Sequence, residues 1–177
     1  ATANQDYFSI DISNNDLADS GEGRVGFWLY VVAMPTTPTD DFMLFSITEA
    51  WKTDIIHCNL ENSDDIKCGV WNTLGNAEVA TTSASLTTGN WYWVEYYWDI
   101  TGGEHGVYVY NASNTLLDSD VDTETLYEID LSGSEKLYIG DVDNVAGDDF
   151  YIDHFIISDD HTVDLRDYNA TDSYTGS

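Results

Sequence analysis

Positive charge is what this chain has least of. Five lysines and arginines stand against 33 aspartates and glutamates, so the 177-residue chain carries a formal net charge of −28. Binding to nucleic acid requires lysine and arginine side chains that neutralise phosphates. Anionic membrane surfaces and strongly anionic glycans need the same positive charge. The composition therefore excludes nucleic acid as an expected partner and disfavours anionic surfaces and sugars.

Long apolar runs and helical periodicity are also missing. No stretch approaches the ~18 apolar residues of a membrane span, so we expect no membrane insertion. Apolar residues still make up 42% and aromatic residues 14% of the chain, which indicates a globular protein. The length fits one domain over 1–177, with a core of about 5–160 and a polar tail over 161–177 that is loose or packs along an edge.

Apolar and polar residues alternate with a period of two through most of the chain, which predicts β-strands. The expected strands are 7–12, 24–34, 42–51, 54–60, 66–75, 77–86, 90–100, 106–112, 115–121, 127–132, 136–142 and 150–158. About twelve short strands, with turns every eight to twelve residues, predict an antiparallel sandwich or barrel.

Cysteine is scarce, and its two occurrences are close together. Cys58 and Cys68 flank the turn-forming sequence "ENSDD", so we expect them on facing strands of one hairpin. A cross-strand disulfide would indicate an oxidising compartment, whereas two buried free thiols are the alternative. The two sequons at Asn111 and Asn169 are candidate glycosylation sites in such a compartment.

Four stretches occur in an order that resembles the laminin-G-like, concanavalin A-like jelly rolls. They are "GRVGFWLYV" (23–31), "LTTGNWYWVEYYWD" (86–99), "VYVYNAS" (107–113), and "LYIGDVDN" followed by "FYIDHFIIS" (137–144 and 150–158). The resemblance implies two packed antiparallel sheets, one of them with a concave face. It also implies that concave-face aromatics stack on sugars and that a structural calcium ion is present.

An acidic loop follows the "LYIG" strand and offers carboxylates at alternate positions around a glycine, as calcium loops do. The candidate ligands are Asp141, Asp143, Asp148, Asp149 and Asp153. We expect Asp153 to be part-buried, because strict alternation puts it on one face with Phe155 and Ile157. A salt-rich environment explains the same acidity without any calcium, so both origins stay open.

The aromatic residues supply the candidate ligand-binding side chains. Trp91, Trp93 and Tyr97 alternate along one strand with Glu95, and the glutamate indicates that this is its wetter face. The full set of candidates is Trp51, Trp71, Trp91, Trp93 and Tyr97, with Trp98 considered beside them. Most aromatic residues in alternating strands are core residues, and this remains the competing interpretation.

Catalytic motifs are weak. Glycoside hydrolases on this fold carry Glu-x-Asp-x-x-Glu, or a version one residue shorter, on one strand. Glu128 and Asp130 match the first two acids, but Ser132 or Gly133 stands where the final glutamate is required. Lyases need a tyrosine or histidine base beside an arginine, asparagine or glutamine. The two arginines, Arg24 and Arg166, do not lie beside a histidine on a clear strand face, so the sequence predicts no enzyme.

These observations favour a secreted, non-catalytic jelly-roll module that binds a glycan or another surface ligand. The alternative is a structural subunit of an extracellular assembly, such as an appendage filament or a virion surface protein. In that case the first strand (7–12) or the tail (159–177) would complete a sheet edge of an identical subunit.

Overall fold

The computed structural model describes residues 6–12, 21–36, 41–49, 53–71, 77–123, 135–141 and 150–167. Eleven strands are found in these ranges, followed by one 3₁₀ turn at Leu165–Asp167. The strands are β1 Asp6–Asp11, β2 Glu22–Val31, β3 Phe42–Glu49, β4 Thr53–Leu60, β5 Ile66–Trp71, β6 Ala77–Thr81, β7 Asn90–Asp99, β8 Glu104–Asn111, β9 Leu116–Thr123, β10 Glu135–Asp141 and β11 Phe150–Ser158. Within the described ranges, no helix has the length and apolar character that crossing a membrane requires.

The strands form two antiparallel sheets. The six-stranded sheet has the order β1-β10-β3-β4-β5-β6, and the five-stranded sheet has the order β11-β2-β7-β8-β9. This confirms the prediction of an all-β, two-sheet jelly-roll sandwich. The expected strand over 127–132 lies outside the described residues, and the assignment of the whole chain to one domain stays a prediction.

Alternation in β2 and β7 places the core between the sheets. Val25, Phe27 and Leu29 of β2 are fully buried, and Trp98 of β7 is fully buried with them. Each such side chain contributes roughly 1.5–3 kcal/mol when it leaves water. The intervening residues of both strands must then point to the outer face of the five-stranded sheet, away from this core.

Cys58 and Cys68 face each other in the register of β4 and β5, and a disulfide joins them. The turn between these strands is closed by backbone hydrogen bonds from Glu61 N to Asp65 O and from Asp64 N to Glu61 O, at 2.9 and 3.1 Å. Asp64 takes a positive φ of 67°, which short polar residues tolerate in turns. The hairpin thus holds the two cysteines as the spacing predicts.

The sheet edges differ in how they are protected. At β6, the Asp120 and Asp118 carboxylates accept hydrogen bonds from the backbone N–H groups of Thr81 and Ser83, at 2.8 and 2.7 Å. At β1, by contrast, Phe8 is 63% exposed. Carboxylates on an edge discourage strand addition, whereas an apolar edge permits it. Assembly through β1 stays a prediction.

Candidate functional site

Three aromatic side chains line up across the outer face of the five-stranded sheet. Tyr151 of β11 pairs with Tyr30 of β2, and Tyr30 pairs with Trp91 of β7. The ring centroids of Tyr30 and Trp91 are 5.1 Å apart, and those of Tyr30 and Tyr151 are 6.0 Å apart. Trp91 is 38% exposed and Tyr151 is 63% exposed. We call Tyr151, Tyr30 and Trp91 the aromatic row. The row offers a ready surface for a flat or ring-shaped ligand.

The row is partly a sequence prediction and partly new. Trp91 is one of the predicted ligand-binding residues, whereas sequence reasoning missed Tyr30 and Tyr151. Their relation depends on the pairing of β11 with β2, two strands separated by more than 100 residues. The signal available in the sequence was the outward parity of Tyr30, opposite to Val25, Phe27 and Leu29.

Asp153 follows the row on β11, and the expectation that it is part-buried is wrong. It pairs with Trp28 on the outer face, and its side chain is 62% exposed. The pairing shifts between Asp153 and Ile156, and His154 there has a φ of +50°. Such a bulge inserts one residue and reverses the alternation of the strand. Phe155 therefore packs against Phe27 in the core while Asp153 faces solvent.

Next to the row, the outer face is covered instead of open. Trp93 and Tyr97 are only 4% and 5% exposed, so they do not offer the free stacking surface that the sequence suggested. Leu165, itself 1% exposed, packs with Trp93 and Tyr110. Trp98 points the other way, into the core between the sheets. Burial by a later segment of the chain explains why the strand pattern alone misled.

That segment, which we call the C-terminal strap (161–167), crosses the sheet instead of packing along an edge, while 168–177 of the predicted tail lie outside the described residues. The His161 ring stacks on Tyr97 with centroids 6.2 Å apart, and its Nδ1 contacts the Glu22 carboxylate. Gly26 lies beneath Trp93 and the strap, because a Cβ atom there would lie 2.6 Å from the Trp93 ring and 3.2 Å from Leu165. The missing side chain at Gly26 therefore lets Leu165 of the strap pack closely against the backbone of β2.

Glu95 lies under the strap and is fully buried, so the inference that it marks a wet face is wrong. Arg24 binds its Oε2 through two guanidinium nitrogens, with Nε at 3.0 Å. The Trp93 indole N–H donates to Oε1 at 2.6 Å, and Arg166 Nε lies 3.8 Å from the same oxygen. A buried carboxylate survives only with such compensation.

Arg24 also donates to the backbone carbonyl of His161, at 3.0 Å. This contact uses the backbone of a strap residue, so it does not place a histidine side chain beside an arginine on a strand face. The Arg166 guanidinium lies 4.1 Å from the centre of the Tyr110 ring and binds Asp164. Both arginines are thus held by contacts with the strap and with the buried Glu95.

The outer face of the six-stranded sheet carries a second polar group of residues. Tyr138 pairs with Ser46 and Ser46 with His57, so the three share one face. All three are buried, and the Ser46 hydroxyl has no hydrogen-bond partner in the structure. Burial, together with the charge of nearby Lys67, lowers the pKa of His57 to about 4. Asn59 lies two residues from His57 on the same strand.

The remaining predicted residues are mostly outside the described ranges. Trp51, Asp143, Asp148, Asp149 and Asn169 all lie there, while Trp71 and Asp141 end β5 and β10. Among the residues that the structure covers, no group of three or more potential ligands could hold a metal ion. Of the five calcium candidates, only Asp141 and Asp153 lie in the described part of the chain, and calcium stays a prediction.

Asn111 is the last residue of β8, where the turn to β9 begins. Its side-chain Oδ1 accepts hydrogen bonds from the backbone N–H groups of Ser113 and Thr115, at 2.9 and 3.0 Å. These two hydrogen bonds close the turn, and the side-chain amide nitrogen of Asn111 takes no part in them. The sequon therefore lies in a surface hairpin turn, while its glycosylation stays a prediction.

Solved structures similar to this fold include binding domains and enzymes. The binding domain of botulinum neurotoxin serotype D superposes with a TM-score of 0.66 at 14% identity, covering 89% of this chain and 38% of that one. A leech intramolecular trans-sialidase gives 0.60 at 14% identity, covering 89% and 25%. The alginate lyase of Klebsiella pneumoniae gives 0.54 at 9% identity, covering 77% and 59%.

The chain spans less than two thirds of each of these proteins, and identities this low support the fold alone. No protein-family profile matches the chain, and no curated protein sequence matches it either. Two of the three similar structures are nevertheless enzymes. This finding overturns the expectation of a non-catalytic module, because the same sandwich carries catalysis elsewhere. The function must come from the site, since one fold hosts many functions.

Proposed function

We propose that the chain is an extracellular jelly-roll module that binds a glycan on its aromatic row. The observation that carries the proposal is the cross-strand alignment of Tyr151, Tyr30 and Trp91, two of which are well exposed. Aromatic faces bury the apolar side of a sugar ring, and tyrosine hydroxyl and indole N–H groups can bond its hydroxyls. A neurotoxin binding domain and an alginate lyase among the similar structures support this class of ligand.

The negative charge of the chain restricts which glycans we expect it to bind. With a net charge of −28, the surface repels sulfated and uronate sugars. Ordered β-strands hold the three rings, so little side-chain freedom is lost on binding. The disulfide between Cys58 and Cys68 supports an extracellular location, because such bonds persist in oxidising environments.

The first experiment screens the chain on a glycan array and then measures hits by calorimetry. We expect uncharged hits and no sulfated ones. Replacing Tyr151 or Trp91 by alanine should weaken binding by about 1–3 kcal/mol, by analogy with aromatic stacking on other ring-shaped ligands. Phe8→Ala is the matched control, because Phe8 is as exposed as Tyr151 but lies on the other sheet. Binding that Phe8→Ala weakens as much as Tyr151→Ala would contradict the proposal.

We propose calcium as a stabiliser of the acidic loop after β10, although the loop itself is outside the described residues. Bound calcium stabilises by mass action, by about 2.7 kcal/mol at a hundredfold excess over its dissociation constant. Millimolar calcium should therefore raise the melting temperature beyond NaCl of equal ionic strength, and Asp143→Asn should remove most of the difference. Identical melting curves in the two salts would leave only general screening of the acidic surface.

A second candidate function is eliminative cleavage of a uronate glycan. It is favoured by His57, Asn59 and Tyr138 on one face of the six-stranded sheet, in a fold that alginate lyases share. In this reaction a base takes the proton next to the carboxyl group while the bond to the leaving sugar breaks. It ranks second because His57 and Tyr138 are 8% and 5% exposed and the chain is strongly acidic. Ultraviolet absorbance of the new double bond tests it, with Tyr138→Phe and His57→Ala as inactive variants.

A further inference from the structure

The surroundings of the aromatic row contain the Asp153 carboxylate, and the two arginines of the same outer face are held by other carboxylates. Asp153 lies two residues from Tyr151 on the same face of β11 and pairs with Trp28, so Asp153 is diagonal to Tyr30. Residues two apart on a strand are separated by about 6–7 Å, which is within reach of one ligand. A group held over the Tyr30 ring can therefore contact the Asp153 carboxylate as well.

The Asp153 side chain is 62% exposed to solvent. Its contacts are the His154 backbone N–H at 2.8 Å and His154 Nδ1 at 3.2 Å, and both use Oδ1. Within the part of the chain that the structure describes, Oδ2 has no partner. The two arginines of this face are held by Glu95 and Asp164, so neither compensates Asp153.

From this arrangement we infer that the row selects glycans with free amino groups, such as glucosamine oligomers, over their N-acetylated forms. The inference rests on the proposed glycan binding and names the sugar class. An ammonium group is attracted by the negative face of tyrosine and tryptophan rings, and it pairs with a carboxylate beside them. N-acetylation removes the charge and both attractions, while the ring-stacking surface stays the same.

The test compares the glucosamine hexamer with the N-acetylglucosamine hexamer by calorimetry, using the whole chain at low salt. The two attractions together predict roughly 3- to 30-fold tighter binding of the glucosamine hexamer. Asp153→Asn should remove most of this preference without abolishing binding of the acetylated hexamer. Asp159→Asn is the control, because it removes one exposed carboxylate at the other end of β11.

The outcomes separate the two levels of the proposal. Preference for the glucosamine hexamer that Asp153→Asn removes and Asp159→Asn preserves supports the inference. Equal affinity for the two hexamers, or equal losses in the two variants, overturns it and leaves glycan binding intact. If neither hexamer nor any array glycan binds, the proposed function fails, and the inference fails with it.

Discussion

Replacing Arg24 by methionine should destabilise the protein by about 3–5 kcal/mol, the cost of leaving a buried charge without its partner. Glu95 is fully buried, and Arg24 supplies two of the hydrogen bonds to its carboxylate. Arg166 stays 3.8 Å from the other oxygen and cannot replace both bonds. Urea unfolding of the variant and the wild type at neutral pH measures the difference.

Two further variants separate this effect from a general loss of charge. Arg24→Met combined with Glu95→Met removes both charges, and we expect it to recover most of the lost stability. Lys67→Met breaks the half-exposed ion pair in which Lys67 Nζ lies 2.9 Å from the Glu61 carboxylate, and should cost about 1 kcal/mol or less. If Arg24→Met lowers the free energy of unfolding no more than Lys67→Met does, Arg24 does not compensate a buried Glu95 charge, and this account is contradicted.

The second large effect is a loss of stability in mild acid that depends on His57. Burial, and then the Lys67 charge, lower the pKa of this histidine from 6.5 to about 4. Between these values the unfolded chain binds a proton that the folded chain does not. Stability therefore falls as the pH drops through this window, by up to about 3 kcal/mol from this group.

The measurement is the difference between the wild type and His57→Asn across pH 4 to 7, because the many carboxylates titrate in both proteins. We expect the stability of the wild type relative to the variant to decrease steadily as the pH falls. His154→Asn is the control, since the His154 side chain is 47% exposed. Parallel pH curves for the wild type and His57→Asn would show that His57 is not held neutral by the fold.

Much of the architecture could be predicted from the sequence because strand alternation is a local property. The parity of Val25, Phe27 and Leu29 places β2 in the core, and the spacing of Cys58 and Cys68 places them in one hairpin. The order of the four family-like stretches indicates a jelly roll. The first two of these inferences use residues that are close together in the chain, where alternation and turn chemistry themselves produce the local structure.

The candidate site was harder to predict from the sequence, because it depends on contacts between distant parts of the chain. Glu95 seemed to mark a wet face, but a strap more than 60 residues later covers it and supplies Arg166. The bulge at His154 turned Asp153 outward, which alternation could not foresee. The aromatic row needs the register of β11 against β2. A polar residue in a strand predicts an exposed face only when no later segment of the chain covers that face.

The most direct test of the central claim is to locate a bound glycan by nuclear magnetic resonance. On titration with the N-acetylglucosamine hexamer, the account predicts shifts of the Trp91 indole N–H and of the Tyr30 and Tyr151 ring signals. The buried Trp98 indole serves as the internal reference and should stay unchanged. Shifts confined to Tyr7 and Tyr138, which form a ring pair on the six-stranded sheet, would place the ligand on the opposite face and contradict the account.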